Sequence, residues 1–369
     1  MRVLALADLH IKFSGPRADE CRRIIEWTAD HARETKPDAI VIAGDVYDRR
    51  STPEERLFLA SILLVLSNVA PVFIINGNHD DPEDLRLFHL WRPSIEVITE
   101  PTLRELVNGK TLAFLPWPSL GHLAAAIGPQ TSIAERREIA KAALIDVLRG
   151  FKSPTLLVAH IPVTGASMDS GQPVSGGEEI SLSPDELFES GASGVCLGHI
   201  HLRQQMRAGD GRPVWYAGAP FRTSFGEASG EKGGLLWDWV GGAWRVTPWN
   251  MPARRMVLIN SKWVDSGFVI EINESIVNAE FRLRLEFPSE EREAARIQGE
   301  LCKKEIEAHG ALSVTIEERP ILVERTRCSE ISAAHTNAEK LSAWAKAAEQ
   351  EIPEGATAKL ATLEAEVKP

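Results

Sequence analysis

Five short apolar runs, at residues 3–7, 39–43, 72–75, 155–159 and 194–197, each end in side chains suited to holding a hard metal ion. The first leads into Asp8-Leu9-His10, the second into Gly44-Asp45-Val46-Tyr47-Asp48-Arg49 and the third into Asn76-Gly77-Asn78-His79-Asp80. The fourth leads into His160 and the fifth into Gly198-His199-Ile200-His201. Such runs have the length and character of buried strands. Open α/β sheets place ligands beyond the carboxyl ends of their strands, so these ends can converge on one site. In extended chain the side chains at i and i+2 point the same way, which would pair Asp8 with His10 and His199 with His201. Gly44, Gly77 and Gly198 allow the sharp departures from a strand that an exposed ligand needs. Taken singly, each piece has an ordinary reading as a turn or a hydrogen-bonded core histidine. Independent accidents rarely place five such groups at five strand ends.

The intervening sequence predicts helices. A helical pattern runs over about 17–35, with Cys21, Ile24, Ile25 and Trp27 on its apolar side. Pro53 stands where the first turn of a second helix belongs, ahead of residues 57–66. That helix is apolar nearly all round, which predicts burial in the core or at a subunit contact. Strand, helix, strand in these lengths implies a parallel sheet with crossover helices. Later come a strand at 111–115, a charged helix at about 133–149 and a Gly-, Ser- and Pro-rich loop at 162–179. Strand-like runs then follow closely at 214–217, 235–239 and 244–248. The composition shifts near 251–255, and beyond it a strand (280–287), a charged helix (289–308) and another strand (311–317) predict a small α+β unit. From about 333 the tail is rich in Ala, Glu and Lys, and Leu341, Trp344, Ala345, Ala348 and Ile352 recur at helical spacing. The expected organisation is therefore 1–250, 251–328 and 329–369.

Bulk properties narrow the class. The 369 residues are 44% hydrophobic and 25% charged, as in a globular chain. No apolar run approaches the roughly 18 to 20 residues that span a bilayer, so no membrane role is expected. Cys21, Cys196, Cys302 and Cys328 lie far apart with no Cys-x-x-Cys pair, which argues against a zinc ribbon or disulfide framework and for a reducing cytoplasm. The formal net charge of -11 does not suggest a protein that grips DNA alone. Either the substrate is small, or affinity for DNA comes from bound metal, local basic patches and a partner.

In order and complete, the motifs Asp-x-His, Gly-Asp-x-x-Asp-Arg, Gly-Asn-His-Asp, a lone His and Gly-His-x-His between Asp8 and His201 resemble those of the calcineurin-like metallophosphoesterases. The resemblance implies an α/β fold, a four-layer αββα sandwich, here with a small α+β capping domain and a helical C-terminal tail. It implies two divalent ions: Asp8, His10, Asp45 and His201 on one, and a shared Asp45 with Asn78, His160 and His199 on the other. Oxygen and imidazole donors without thiolate suit manganese, with iron or zinc as alternatives. His79 would protonate or orient the leaving oxygen, with Asp48 fixing its tautomer. Arg49 would add a fork to the phosphate or form a surface salt bridge.

A finer resemblance rests on Val214-Trp215-Tyr216-Ala217-Gly218-Ala219-Pro220, Ser224-Phe225-Gly226-Glu227 and Glu231-Lys232-Gly233-Gly234. These stretches, with Leu115-Pro116-Trp117-Pro118 and the loop 176–182, are similar to SbcD-type nucleases, relatives of the meiotic-recombination nuclease. That family implies 3′-to-5′ exonuclease and single-strand or hairpin endonuclease activity in DNA repair or recombination. It also implies a homodimer and a complex with an SbcC-type SMC-like ATPase, for which the tail would be the docking helix. A small-molecule phosphodiesterase would keep every ligand but leave 218–234 and the α+β unit without a role. A non-catalytic adaptor has no need of the intact ligand set.

Overall fold

The computed structural model describes residues 1–106, 109–118, 132–168, 179–228, 230–272, 275–321 and 329–367. The chain divides into two compact units. One comprises Met1–Leu258, Asn273–Arg282 and Ile306–Val314; the other comprises Ile259–Ile272, Leu283–Glu305 and Thr315–Pro369.

Two six-stranded sheets build the first unit. In one, β1 (Arg2–Leu6), β2 (Ala39–Ala43), β3 (Val72–Ile75) and β4 (Ile95–Ile98) run parallel, and β11 (Gly233–Val240) and β12 (Ala243–Asn250) join antiparallel at the β1 edge. In the other, the order is β5 (Thr102–Glu105), β6 (Thr111–Leu115), β7 (Leu156–His160), β8 (Val195–Gly198), β10 (Pro213–Tyr216) and β9 (Gln204–Arg207). Here β6, β7, β8 and β10 are parallel.

The strand sequences dictate the layering. Alternate residues of a strand face opposite sides, and here both sides are apolar. From β1 to β3, Val3, Ala5, Ala39, Val41, Phe73 and Ile75 face one way, where they meet Leu112, Phe114, Leu156, Val158 and Cys196 of the second sheet. Leu4, Leu6, Ile40, Ile42, Val72 and Ile74 face the other way, onto α1 (Ala18–Ala32), α2 (Pro53–Ser67) and α3 (Pro82–His89). The outer face of the second sheet packs Leu157, Ala159, Val195 and Leu197 against α4 (Ile133–Arg149) and α5 (Pro184–Leu187). The result is the αββα sandwich.

Helix α2 starts as its sequence demands. Thr52 caps it, Glu55 closes a capping box and Pro53 occupies the first turn. Phe58, Leu59, Ile62, Leu63 and Leu66 are buried, while Leu57 and Val65 face outward, so the all-round apolarity is only half used within the chain.

Further along, a four-stranded sheet orders β14 (Gly267–Phe268), β13 (Met256–Val264), β15 (Glu280–Pro288) and β16 (Ser313–Ile321). The β13–β14 hairpin turns on Asp265 and Ser266, both at positive φ, as a tight two-residue connection requires. Helix α6 (Arg292–Ala308) lies between β15 and β16 in sequence. The tail forms α7 (Ser329–Ala333), α8 (Asn337–Ala347) and α9 (Ala356–Val367). The expected continuous helix through Ala348 and Ile352 stops at Ala347, because Pro353 and Gly355 follow and neither propagates a helix. Cys328 and residues 169–178, which include most of the expected 162–179 loop and the start of the 176–182 stretch, lie outside the described residues. Among the described residues no helix is long and apolar enough to cross a membrane.

Candidate metal centre

The carboxyl ends of β1, β2, β3, β7 and β8 meet at one rim of the sandwich. There the described residues form two groups whose ligand-type atoms lie within 4.8 Å of one another: Asp8, His10 and His201, and Asp45, His160 and His199. Asp45 lies between them, with Oδ2 3.7 Å from His10 Nε2 and 3.4 Å from His160 Nε2. Asn78 joins the second group, its Oδ1 being 3.1 Å from His160 Nε2 and 3.0 Å from His199 Nδ1.

Main chain, more than side-chain packing, aims these groups. Asp8, His10, Asp45 and His199 all have positive φ (52°, 40°, 49° and 100°), a region that costs non-glycine residues on the order of 1–3 kcal/mol each. The strain is held by hydrogen bonds: Asp8 N to Gly44 O and His10 N to Asp45 O, both 3.0 Å. Asp8 and His10 therefore meet His201 through left-handed turns and not through the strand pleat that spacing alone implied. Gly44 stands at φ 86° against the ring of His160, and a Cβ at Gly77 or Gly198 would collide with Asp45 or with the Ala43 carbonyl.

Each side chain has one atom tied down and one aimed inward. The backbone N–H of His79 donates to Asp45 Oδ1 (3.0 Å), leaving Oδ2 toward the histidines. His199 N donates to Asp8 Oδ1 (2.8 Å), while Asp8 Oδ2 is buried with no hydrogen-bond partner. His160 Nδ1 donates to the Ala43 carbonyl (2.7 Å), so Nε2 is the nitrogen that a cation would take in exchange for a proton. His10 Nε2 and His201 Nε2 face each other at 2.8 Å. An orphaned carboxylate oxygen beside inward imidazole nitrogens is a poor hydrogen-bonding arrangement and a good cation cradle.

The electrostatics agree. Burial opposes the charged form of His160, yet Asp45 and Asp8 overrule it and push the imidazole up to about 9. Burial also opposes ionisation of Asp45, but His160 and His10 hold its carboxyl well below the usual range. Burial, with His201 alongside, pushes His10 down to about 4. The pocket thus favours positive charge beside Asp45, and divalent cations fit these residues.

The three other expected site residues lie near the rim. His79 is exposed, 5.1 Å centroid-to-centroid from His10, and its Nδ1 meets the main-chain carbonyl of Asp48 at 3.0 Å. The Asp48 carboxylate instead takes Lys12 (2.7 Å) and lies 3.7 Å from His10 Nδ1. Arg49 forms its fork with Glu55, both contacts at 3.0 Å.

Four further residues support the centre. Asp80 accepts from Val46 N, Tyr47 N and Gly77 N, binding the turns after β2 and β3 together, and burial beside Asp45 pushes its carboxyl up to about 6. Trp117 stacks on His199 with centroids 5.2 Å apart. Glu179 lies 3.2 Å from His199 Nε2, and Glu227 Oε1 lies 3.0 Å from His201 Nδ1. Trp117 and Glu227 belong to stretches already singled out in the sequence, but nothing there gave them a partner, since both contacts bridge distant segments.

A sandwich carrying two cation-fitting ligand groups that share a carboxylate defines a metal-dependent phosphoesterase. The calcineurin-like phosphoesterase family matches residues 1–203, and the chain belongs to that family. Its members use two divalent metals. Among solved structures, a Thermus thermophilus protein is similar at 15% identity and TM-score 0.42, covering 67% of this chain and 98% of its own. A dimetal phosphatase from Danio rerio is similar at 11% identity and TM-score 0.39, covering 64% and 91%.

Proposed function

We propose that the protein is a DNA nuclease of the SbcD type, hydrolysing phosphodiester bonds as an exonuclease and as a single-strand or hairpin endonuclease. The observation that carries phosphoester hydrolysis is the pair of ligand groups meeting on Asp45 with the buried Asp8 Oδ2 left over. The choice of DNA rests on the resemblance of the 214–234 segment, whose Glu227 and Lys232 reach His201.

Asp8, His10, Asp45 and His201 would hold one ion, and Asp45, Asn78, His160 and His199 the other. When bound, such ions supply Lewis acidity for the phosphoryl oxygens and the attacking water. With Nδ1–H donated to the Asp48 carbonyl, His79 turns Nε2 outward; in the imidazolium form that nitrogen also carries a proton, which it gives to the leaving oxygen, ending as the neutral Nδ1–H tautomer. Asp48 holds Lys12 beside His10, and Arg49 positions the turn through Glu55. The nitrogen and oxygen donors favour manganese over thiophilic metals, with iron or zinc as the alternatives.

A homodimer and an SbcC-type ATPase partner complete the proposal, with 1–250 as nuclease, 251–328 as cap and 329–369 as the docking tail in a cytoplasmic complex. In support of the dimer, Leu57, Leu87, Leu90 and Trp91 are 73%, 57%, 87% and 45% exposed on α2, α3 and the residues just after it, which offers apolar side chains to a second copy. The Arg56–Asp84 pair joins these two helices.

The test is incubation with circular single-stranded DNA and manganese, with and without EDTA, beside a generic small phosphodiester. Metal-dependent cutting is expected, and it should fall by about 100- to 10,000-fold in His79→Gln while manganese uptake persists. Hydrolysis of the small ester with the DNA left whole would overturn the nuclease reading.

A further inference from the structure

Glu227 is only 6% exposed and Lys232 only 3%, although both stand in a loop-rich stretch that covers no strand of its own. One carboxylate oxygen of Glu227 meets His201 Nδ1 at 3.0 Å and also accepts from the Thr223 hydroxyl. The other takes Lys232 Nζ at 2.8 Å, and the same ammonium reaches the carbonyl of His201 at 3.2 Å. Arg222 Nε donates to the carbonyl of Glu227 at 3.1 Å, anchoring the turn from behind. Buried ion pairs contribute little net stability, so stability alone does not account for this arrangement.

We propose that Glu227, held by Lys232 and Thr223, is the positioning residue of His201 and sets the strength of metal binding at the Asp8–His10–His201 group. A carboxylate can only accept, so Nδ1 of His201 carries the proton and Nε2, the atom facing His10, keeps its lone pair. Lys232 gives the carboxylate a fixed partner on its far side, so Glu227 cannot swing inward and become a ligand itself. Among the described residues the other group has no buried carboxylate behind a histidine: Glu179, beside His199, is 47% exposed on its side chain, and His160 is held by the Ala43 main-chain carbonyl instead. Bracing by a buried carboxylate is therefore one-sided, and the effect of removing it should be too. The inference rests on the metal centre and not on DNA being the substrate.

The experiment is a manganese titration of the full chain by calorimetry, in wild type, Glu227→Gln and the double variant Glu227→Ala/Lys232→Met, which leaves no lone buried charge. For the double variant, one of the two affinities should weaken by about 10- to 100-fold and the other stay within about twofold. In the metal-free protein, nitrogen NMR should show His201 as the Nδ1–H form in wild type and as a tautomer mixture in the double variant. Glu227→Gln keeps a carbonyl acceptor and should retain the Nδ1–H form while losing part of the same single affinity. Should the double variant not fold, Glu227→Gln decides: an unchanged affinity overturns the inference. It is equally overturned if a folded double variant keeps both affinities, or loses both alike. A wild-type chain that takes up no manganese overturns the metal-centre reading itself, whereas uptake indifferent to Glu227 overturns this inference alone.

Discussion

From the first sheet the rim receives oxygen donors, Asp8, Asp45 and Asn78, with His10 beside them; from the second it receives only imidazoles, His160, His199 and His201. Carboxylates come with charge that must be neutralised, and imidazoles come with tautomers that must be chosen. The two sheets solve these needs for each other. His160 takes its tautomer from the Ala43 carbonyl of the first sheet, and Asp8 Oδ1 is satisfied by the His199 N–H of the second. Neither sheet carries a usable ligand set alone, so the centre depends on how the two faces pack.

The sharpest way to break the comparison is Asp45→Asn, since Asp45 serves both groups. Manganese titration should lose both sites. Hydrolysis should fall by more than the roughly 100- to 1000-fold that loss of one transition-state donor costs. Retention of one full-affinity site would show that the groups are independent.

The packing claim is tested next by Phe114→Ala. Phe114 is fully buried between the sheets, with its ring 5.3 Å from that of Phe73. Truncation should cost about 3–5 kcal/mol in denaturant unfolding. It should also weaken metal uptake in the folded protein, because the imidazoles and carboxylates are then held less firmly in register. Unaltered uptake would mean that the rim loops alone define the site.

The smallest effect is that of pH. His160 is raised to about 9 from its ordinary 6.5, chiefly by Asp45 against the opposing effect of burial. In metal-free protein its contribution to stability is therefore fully present below 6.5 and lost as pH rises through about 9. A cation must displace that proton, so manganese affinity should climb by about tenfold per pH unit up to about 9 and then level off. Calorimetry in buffers of different ionisation enthalpy would count the proton released. No release near neutral pH would remove His160 from the ligand set.

Much of this centre was legible beforehand, because donors at strand ends are a local property of sequence. The runs before Asp8, Asp45, Asn78, His160 and His199 announce both strand and exit, and Thr52-Pro53 with Glu55 announces a helix start. Alternation in a pleat does not bring Asp8 and His10 together; left-handed turns do, and although aspartate and histidine tolerate positive φ better than most residues, their spacing does not reveal it. The carboxylates behind the histidines were hidden for a different reason. Glu227 meets His201 across 26 residues and Glu179 meets His199 across 20, and only the fold sets such distances. Asp48 shows the same limit in reverse, since its backbone, not its carboxylate, faces His79.

The position of β1 has a consequence for synthesis. Its first neighbour, β2, is translated within some forty residues, but its second, β11, pairs Arg2 to Ala5 with Asp238 to Leu235. Until the ribosome has passed that point, one flank of a strand with the sequence Val3-Leu4-Ala5-Leu6 stays open, and open apolar edges recruit other chains. That flank is still open when every metal-binding side chain, the last being His201, has already been made. A chaperone bound over that interval, or a pause in translation after residue 240, would be felt in the yield of folded enzyme before it was felt in its catalysis.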